Sequence, residues 1–413
     1  MRKYKVLHLT NFLDLSGQQE DTLIAAAGVN QDRFQVSLAA NLAGGYGFEN
    51  ILAKEARAIP HLTVIDIPNL RRFPHPVYDP LALRDLYRLM KRERYDIVHT
   101  HATKAGFLGR VAARLAGVPI RIFSIHGWSF QYNGVKVNWV QALLNGYFLL
   151  LERFAARFTD KLCCLTRTLA DDGIRARVGK PEQYAVTFSG INLERFRDPQ
   201  VDPQKQRALL GLPPTGPIVG TITIMNRHKG VDDIVRAIPR ILQEVPDAHF
   251  LLVGDGEALP GVRALVQELK LGDNVTLPGI RRDLPELLGV MDVFAHMAWF
   301  EILPRAILQA LAMGTPVVVA DAGSVKEIVT DGWNGYLVPP RDPAALAEKT
   351  IRILRDPELR QKMRQAARES VFKDFTFTAE NMIRTTEAVY DELIDAKIEH
   401  GRKRIGAAAP VRR

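Results

Sequence analysis

The stretch Phe300-Glu301-Ile302-Leu303-Pro304-Arg305-Ala306-Ile307-Leu308-Gln309-Ala310-Leu311-Ala312-Met313-Gly314-Thr315-Pro316 decides how the chain is read. An acid stands on a loop, a proline follows at the expected first helical turn, and then come an apolar helix, a glycine stop and the all-apolar strand Val317 to Ala320. In an α/β domain a helix placed this way points its N-terminus into the crevice where ligands bind. Its free N–H groups suit a phosphate.

The same alternation runs outward in both directions. Upstream, strands are expected at Ile218 to Ile224, His249 to Val253, Val275 to Leu277 and Val293 to His296, with helices at Val231 to Leu242, Gly261 to Leu269 and Leu284 to Val290 between them. Downstream, Ile328 to Val338 completes the sheet, and helices follow at Ala344 to Leu354, Glu358 to Phe372 and Phe377 to Ile398. A second series opens the chain, with strands beginning at Lys5, Val36, Thr63, Ile97, Arg121, Lys161 and Ala185, and with helices at Glu20 to Gly28, Leu81 to Glu93 and Gly106 to Leu115. Strands alternating with helices imply parallel pairing and doubly wound sheets. The expectation is an α/β protein of two Rossmann-like domains facing a central cleft. The boundaries are 1–196 for the first domain, 197–216 for a polar, proline-containing linker and 217–375 for the second domain. A helix at 376–398 crosses back to the first domain, and a disordered basic tail at 399–413 ends the chain.

Composition narrows the class. With 413 residues the chain exceeds the roughly 100–200 of one domain, and 47% hydrophobic and 24% charged residues are ordinary globular values. No run reaches the ~18 apolar residues of a membrane span, and no small-residue cleavage site follows the first strand, so a cytoplasmic protein is expected. Cys163 and Cys164 are adjacent and point to opposite faces of a strand, which fits a reducing compartment and no Cys/His metal site. The net charge of +9 calls for an anionic partner such as a nucleotide or a membrane surface. The charges are spread along the chain without an aromatic-basic module, so nucleic acid is set aside. From Gly134 to Phe158, the residues Trp139, Leu143, Leu144, Tyr147, Phe148, Leu150, Leu151 and Phe154 form a broad apolar helix face. A helix partly buried in its own domain is the first reading of that face, and contact with the inner face of a membrane is the second.

Four loops at carboxyl ends of expected strands collect the residues able to carry chemistry. Ser16-Gly17 gives a backbone approach, His99 and His101 follow Ile97-Val98, and His126-Gly127 follows the strand ending at Ile125. His99 reads as structural, at the strand end, while for His126 functional and structural roles stay level. The fourth cluster is Lys229-Gly230 at a helix start, Asp255-Gly256-Glu257 after a strand, and Glu301. Lys229 at a positive helix end suits a phosphate. Asp255 equally caps the next segment, and Glu301 is either a capping charge or a partner for sugar hydroxyls.

Together these segments resemble glycosyltransferase family 4, retaining enzymes of the GT-B fold, from end to end. The matching runs are Ser16 to Glu20, Ile97 to Gly106 through Gly117-Val118-Pro119, His126-Gly127-Trp128, Ser189 to Phe196, Val253 to Gly256, and Asp331 to Gly335 on to Pro343. The resemblance implies transfer of a sugar from a nucleotide diphosphate donor to a polysaccharide or lipid-linked glycan, with retention and with no cofactor or obligatory metal. By position, it implies that Gly17 approaches the diphosphate, that Lys229 holds phosphate, that Glu301 binds the sugar hydroxyls and that His126 touches the transferred sugar. Asp255, Ile302, Leu303, Pro304 and Gln309 complete the donor side, and Glu20, His101 and Lys104 fall on the acceptor side.

The departures fall in the donor site. Ile224 stands where the family has an Arg five residues before its Lys. Ile302 replaces a Gly, Gln309 the second acid of Glu-x7-Glu, and Ala298 a frequent Ser. Gln309 can still hydrogen-bond a ribose, whereas Ile224 cannot meet a diphosphate. These changes motivate a rival reading, a non-catalytic or donor-altered relative acting as a scaffold or glycan binder. A sugar-nucleotide epimerase of the same fold is the third.

Overall fold

Parallel strands need long crossovers, and helices supply them here. The computed structural model describes residues 2–14, 17–43, 51–130, 139–197, 199–373 and 376–399. Ser16, the beginning of the expected 134–158 helix, and Arg402, Lys403, Arg404, Arg412 and Arg413 of the basic tail lie outside the described residues. The chain divides into two compact units, Met1–Gly190 with Ala379–Arg413, and Ile191–Thr378.

In the first unit, β1 (Tyr4–Phe12), β2 (Phe34–Asn41), β3 (Thr63–Asp66), β4 (Ile97–His101), β5 (Ile120–Ile125), β6 (Lys161–Cys164) and β7 (Tyr184–Val186) form a parallel sheet in the order β3-β2-β1-β4-β5-β6-β7. Because side chains alternate across a strand, β1 sends Val6 into one apolar layer, with Phe34, Ile97 and Tyr390. It sends Leu7 and Leu9 into the other, with Leu86, Val98 and Ala112. The second unit repeats the plan with β8 (Ile218–Ile222), β9 (His249–Val253), β10 (Val275–Thr276), β11 (Val293–His296), β12 (Val317–Ala320) and β13 (Gly335–Val338), in the order β10-β9-β8-β11-β12-β13. One core of Val, Ile, Leu and Phe side chains, with Phe250, Val293, Ile238 and Ile353 fully buried, fills it. Each sheet reverses its strand order once, between β1 and β4 and between β8 and β11. In doubly wound sheets, ligands bind outside the carboxyl ends of the strands at such a point.

Several local expectations change. The stretch 197–216 is not an open linker: it carries the helix Pro203–Leu209, capped by Asp202, and belongs to the second unit. Arg207 closes it by donating to the carbonyls of Pro213 and Gly216, which gives a polar sequence a folded path. The first helix begins at Gly17 rather than Glu20, and the last covers Ala379–Ile394 within the first unit. Helix Trp139–Ala156 does not bury its apolar face. Trp139, Leu143 and Leu150 are 75%, 66% and 64% exposed, and its buried residues are Glu152, Ala155 and Ala156. The anchor is ionic, a fully buried pair between Arg110 Nη2 and Glu152 Oε2 at 2.7 Å.

Candidate active site

After β8 the chain makes a single 3₁₀ turn, Arg227–Lys229, and enters helix Val231–Glu244 through Gly230. Gly230 has φ 61°, and a Cβ there would lie 2.1 Å from the carbonyl oxygen of Met297, so glycine lets the turn rest against the loop after β11. The Trp299 N–H donates to the His228 carbonyl at 2.9 Å, and the indole N–H donates to Asp233 at 2.9 Å. On the other side of that loop Gly323, φ 60°, sits where a Cβ would come 1.6 Å from the Glu301 carbonyl oxygen. The loop carrying Glu301 is thus held from both sides by backbone approaches that a side chain would block.

This arrangement brings Lys229 and Glu301 together. Lys229 Nζ lies 2.6 Å from Glu301 Oε2, and His296 Nε2, at the end of β11, lies 3.0 Å from the same oxygen. The side chains are 20%, 11% and 4% exposed, respectively. Burial alone would push the Glu301 carboxyl up, but Lys229 beside it and the His296 hydrogen bond outweigh that and hold it well below the usual carboxylate range. Glu301 is therefore ionised and acts only as an acceptor. Both of its bonds fall on Oε2, so Oε1 carries neither.

Nothing in the local sequence pattern gives His296 a role. Its one signal is a histidine ending a strand that is otherwise apolar, five residues before Glu301.

Of the other residues expected on the donor side, Asp255, Ile302, Leu303, Pro304 and Gln309 belong to the same unit. Pro304 is the N-cap of helix Arg305–Ala312 rather than its first helical residue, because its ψ of 103° is extended. Gln309 lies on that helix, half-buried, as are Ile302 and Leu303 on the preceding loop. Asp255 is exposed and accepts the Gly256 N–H at 2.7 Å; it does not cap the next helix, Leu259–Glu268, whose N-cap is Ala258. Ile224 is 47% exposed, so it faces water and not the core.

In the first unit, register sets His8 of β1 beside His99 of β4, and the two-residue period puts His99 and His101 on one face. His101 Nδ1 reaches His126 Nε2 at 3.3 Å. Burial pushes the His126 imidazole down to about 3, so it is neutral at neutral pH. Gly17 and Glu20 occupy the first turn of helix Gly17–Gly28. Lys104 is drawn elsewhere, to the Phe73 carbonyl at 2.7 Å and the Asp79 carboxylate at 2.5 Å.

Comparison with known proteins gives the family. Residues 202–370 match the model described as glycosyl transferases group 1, and residues 16–188 match the glycosyl transferase 4-like domain. The chain belongs to the glycosyltransferases of family 4 type, with the GT-B fold. This glycosyltransferase is 28% identical over 396 residues to the UDP-Gal:alpha-D-GlcNAc-diphosphoundecaprenol alpha-1,3-galactosyltransferase of Escherichia coli, covering 95% of this chain and 97% of that one. It is 28% identical to the N-acetyl-alpha-D-glucosaminyl L-malate synthase of Bacillus anthracis over 326 residues, 78% of this chain and 81% of the relative. Among solved structures, Anabaena HepE in complex with UDP and glucose superposes with a TM-score of 0.78 at 20% identity, covering 94% of this chain and 99% of HepE. The glycosyltransferase thus carries the Lys229–Glu301 pair at the strand reversal of the group 1 domain and the histidines at that of the 4-like domain.

Proposed function

We propose that this glycosyltransferase moves a sugar from a uridine diphosphate donor onto a lipid-linked glycan, with retention at the anomeric carbon and without a resident metal. The observation that carries the reading is the Lys229–Glu301–His296 constellation at the carboxyl ends of β8 and β11. Lys229 and the N-terminus of helix Arg305–Ala312 meet diphosphate charge, and the unused oxygen of Glu301 accepts from sugar hydroxyls. His126 supplies the first unit's polar group for a sugar, and the 4-like domain holds the acceptor. The E. coli relative, named for a UDP-linked donor and a diphosphoundecaprenol-linked acceptor, supports both substrate classes.

A bilayer surface fits as the place where such an acceptor is met. On helix Trp139–Ala156 the residues Trp139, Leu143, Tyr147, Leu150 and Phe154 recur at helical spacing, and all are exposed. Among the described residues, no helix is long and apolar enough to cross a membrane.

The test is transfer from UDP-[³H]galactose to a diphosphoundecaprenol-linked N-acetylglucosamine, with the product's anomeric configuration read by NMR. Calorimetry of UDP against wild type and Lys229→Ala runs beside it. Labelled lipid, an α product and at least tenfold weaker UDP binding by the variant are expected. UDP binding that ignores Lys229→Ala, or no transfer from any UDP-sugar, sinks the reading. Vesicles of anionic lipid should pellet wild type and leave Leu143→Glu/Leu150→Glu in solution.

A further inference from the structure

The histidines of the first unit lie nose to tail. Ser124 Oγ is 2.7 Å from His99 Nε2, His99 Nδ1 is 2.8 Å from the Tyr390 hydroxyl, and that hydroxyl is 3.0 Å from His8 Nε2. His8 Nδ1 meets His101 Nε2 at 3.0 Å, and His101 Nδ1 meets His126 Nε2 at 3.3 Å. The line ends at His126 Nδ1, which is buried without a partner. The pieces come from β1, β4, β5, the turn after β5 and the C-terminal helix Ala379–Ile394.

A neutral imidazole has one donor nitrogen and one acceptor nitrogen, so fixing either fixes the other. Burial keeps these rings neutral: it pushes His8 down to about 3, and it pushes His99 and His101 well below their ordinary value, with neighbouring histidines adding to the effect. The Tyr390 hydroxyl has one hydrogen and two ring nitrogens for partners. It therefore donates to one and accepts from the other, and every hydrogen bond in the line points the same way.

Two directions exist. If Ser124 donates to His99, Tyr390 donates to His8 and each histidine carries its proton on Nδ1, which leaves one N–H, at His126, unplaced. In the reverse direction both the Ser124 hydrogen and the His126 lone pair are unplaced. Unmade buried bonds are what folded chains avoid, so the first direction prevails.

We propose that Ser124, His99, Tyr390, His8 and His101 form one tautomer relay that keeps the proton on Nδ1 of His126, making that nitrogen a neutral hydrogen-bond donor to an oxygen of the bound sugar or glycan. Tyr390 is then a positioning residue, acting on His126 from the far end of the chain. The tautomer assignment stands on the first unit alone, and its consequence for transfer rests on the proposed role of His126. A metal ion is the competing use of the cluster, since ligand atoms of His8, His99 and His101 lie within 4.8 Å of one another. An ion needs lone pairs that converge on it. Here His8 and His101 meet edge to edge, with centroids 5.3 Å apart and planes at 17°, while His99 lies against the face of His101 at 4.5 Å and 23°.

The test is ring ¹⁵N NMR of the full-length protein with labelled histidine at pH 7.5. Wild type should show Nδ1 protonated on all four histidines, the opposite of the preference of a free neutral histidine. Tyr390→Phe cuts the line between His99 and His8, and Ser124→Ala removes its first donor. Both should bring Nε2–H signals into His8, His101 and His126. Tyr184→Phe removes another tyrosine hydroxyl of the first unit, one that donates to the Val178 carbonyl, and should change none of them. In the transfer assay Tyr390→Phe should lower kcat by roughly tenfold, the size of one neutral hydrogen bond, with KM for the donor held. Nε2–H on His126 in wild type, or an unmoved His126 signal in Tyr390→Phe, overturns the proposal. So does one zinc per chain in purified protein that is lost in His8→Ala. A protein inactive with every donor leaves the nitrogen signals to decide, so failure of the transfer reading and failure of the relay are told apart.

Discussion

At the scale of single residues, the proposed donor site is a question of which charge answers which. Lys229 is held at 2.6 Å by Glu301, so a diphosphate competes with a carboxylate for the same ammonium. Glu301→Gln removes the competitor and keeps the shape. The side chain then lacks the anionic acceptor for sugar hydroxyls, a class of bond contributing ~1.5–3 kcal/mol. We expect UDP to bind the variant at least as tightly as wild type, while UDP-sugar loses roughly tenfold or more in affinity. Calorimetry with both ligands measures the ratio, and an unchanged ratio would mean that Glu301 does not touch the sugar. Ile224 offers the converse test. Its side chain is exposed, so Ile224→Arg has room, and a cation there should tighten UDP by roughly tenfold, as one charge-assisted contact does. Equal binding would show that the diphosphate lies out of its reach. That Lys229 and Glu301 belong to one cluster was legible in the sequence because both sit where strands end in such sheets; their direct ion pair was not. His296 was not, because a histidine at the end of a buried strand reads as core until its partner is known.

At the scale of elements, helix Trp139–Ala156 inverts the usual rule. Its periodic apolar face was legible, and the expectation that this face packs inward followed from the hydrophobic effect alone. Its buried polar anchor is instead a charge pair that sequence cannot match up: Glu152 with Arg110, which also donates from Nε to the Gly106 carbonyl at 2.8 Å and lies 4.0 Å over the Phe123 ring. Removing one partner leaves the other charge buried and unpaired. Arg110→Ala should therefore destabilise the first unit by ~3–5 kcal/mol, and Arg110→Met with Glu152→Leu should regain most of it. Urea unfolding of the three proteins, followed by circular dichroism, decides it. A double variant as unstable as the single would show that the geometry of the pair, and not the stranded charge, is what matters. Such anchoring leaves the apolar side of the helix to whatever surface the enzyme meets.

At the scale of the whole molecule, the two doubly wound units were legible because strands recur between helices, thirteen of them among the described residues, and parallel pairing leaves few orders for them. The histidine line was not, since His8 and Tyr390 stand 382 positions apart and no local pattern joins them. That line makes the two units respond differently to acid. His8, with an ordinary value of 6.5, is held at about 3 in the folded protein, as is His126, and His99 and His101 are also held well down. Where the folded value is the lower one, the unfolded chain takes up the proton first, so stability falls as pH drops below about 6.5 and goes on falling until the folded value is reached. Each such histidine then costs roughly 1.4 kcal/mol per pH unit, and among the described residues of the first unit four are held down in this way. In the second unit, Glu301 is also depressed, but against an ordinary value of 4.5, so its contribution is intact above that pH and is lost only on further acidification. His228 and His249 there are lowered as well, chiefly by burial, with Lys229 adding to the effect at His228 and Arg207 at His249. Between pH 6.5 and 5 the first unit should therefore open before the second. Hydrogen exchange read by mass spectrometry at pH 7.5, 6 and 5, corrected for intrinsic rates, should show peptides from β1, β4 and helix Ala379–Ile394 losing protection together while β8 and β11 keep theirs. Protection lost first from β8 and β11 would mean that the buried histidines do not set the acid limit of this enzyme.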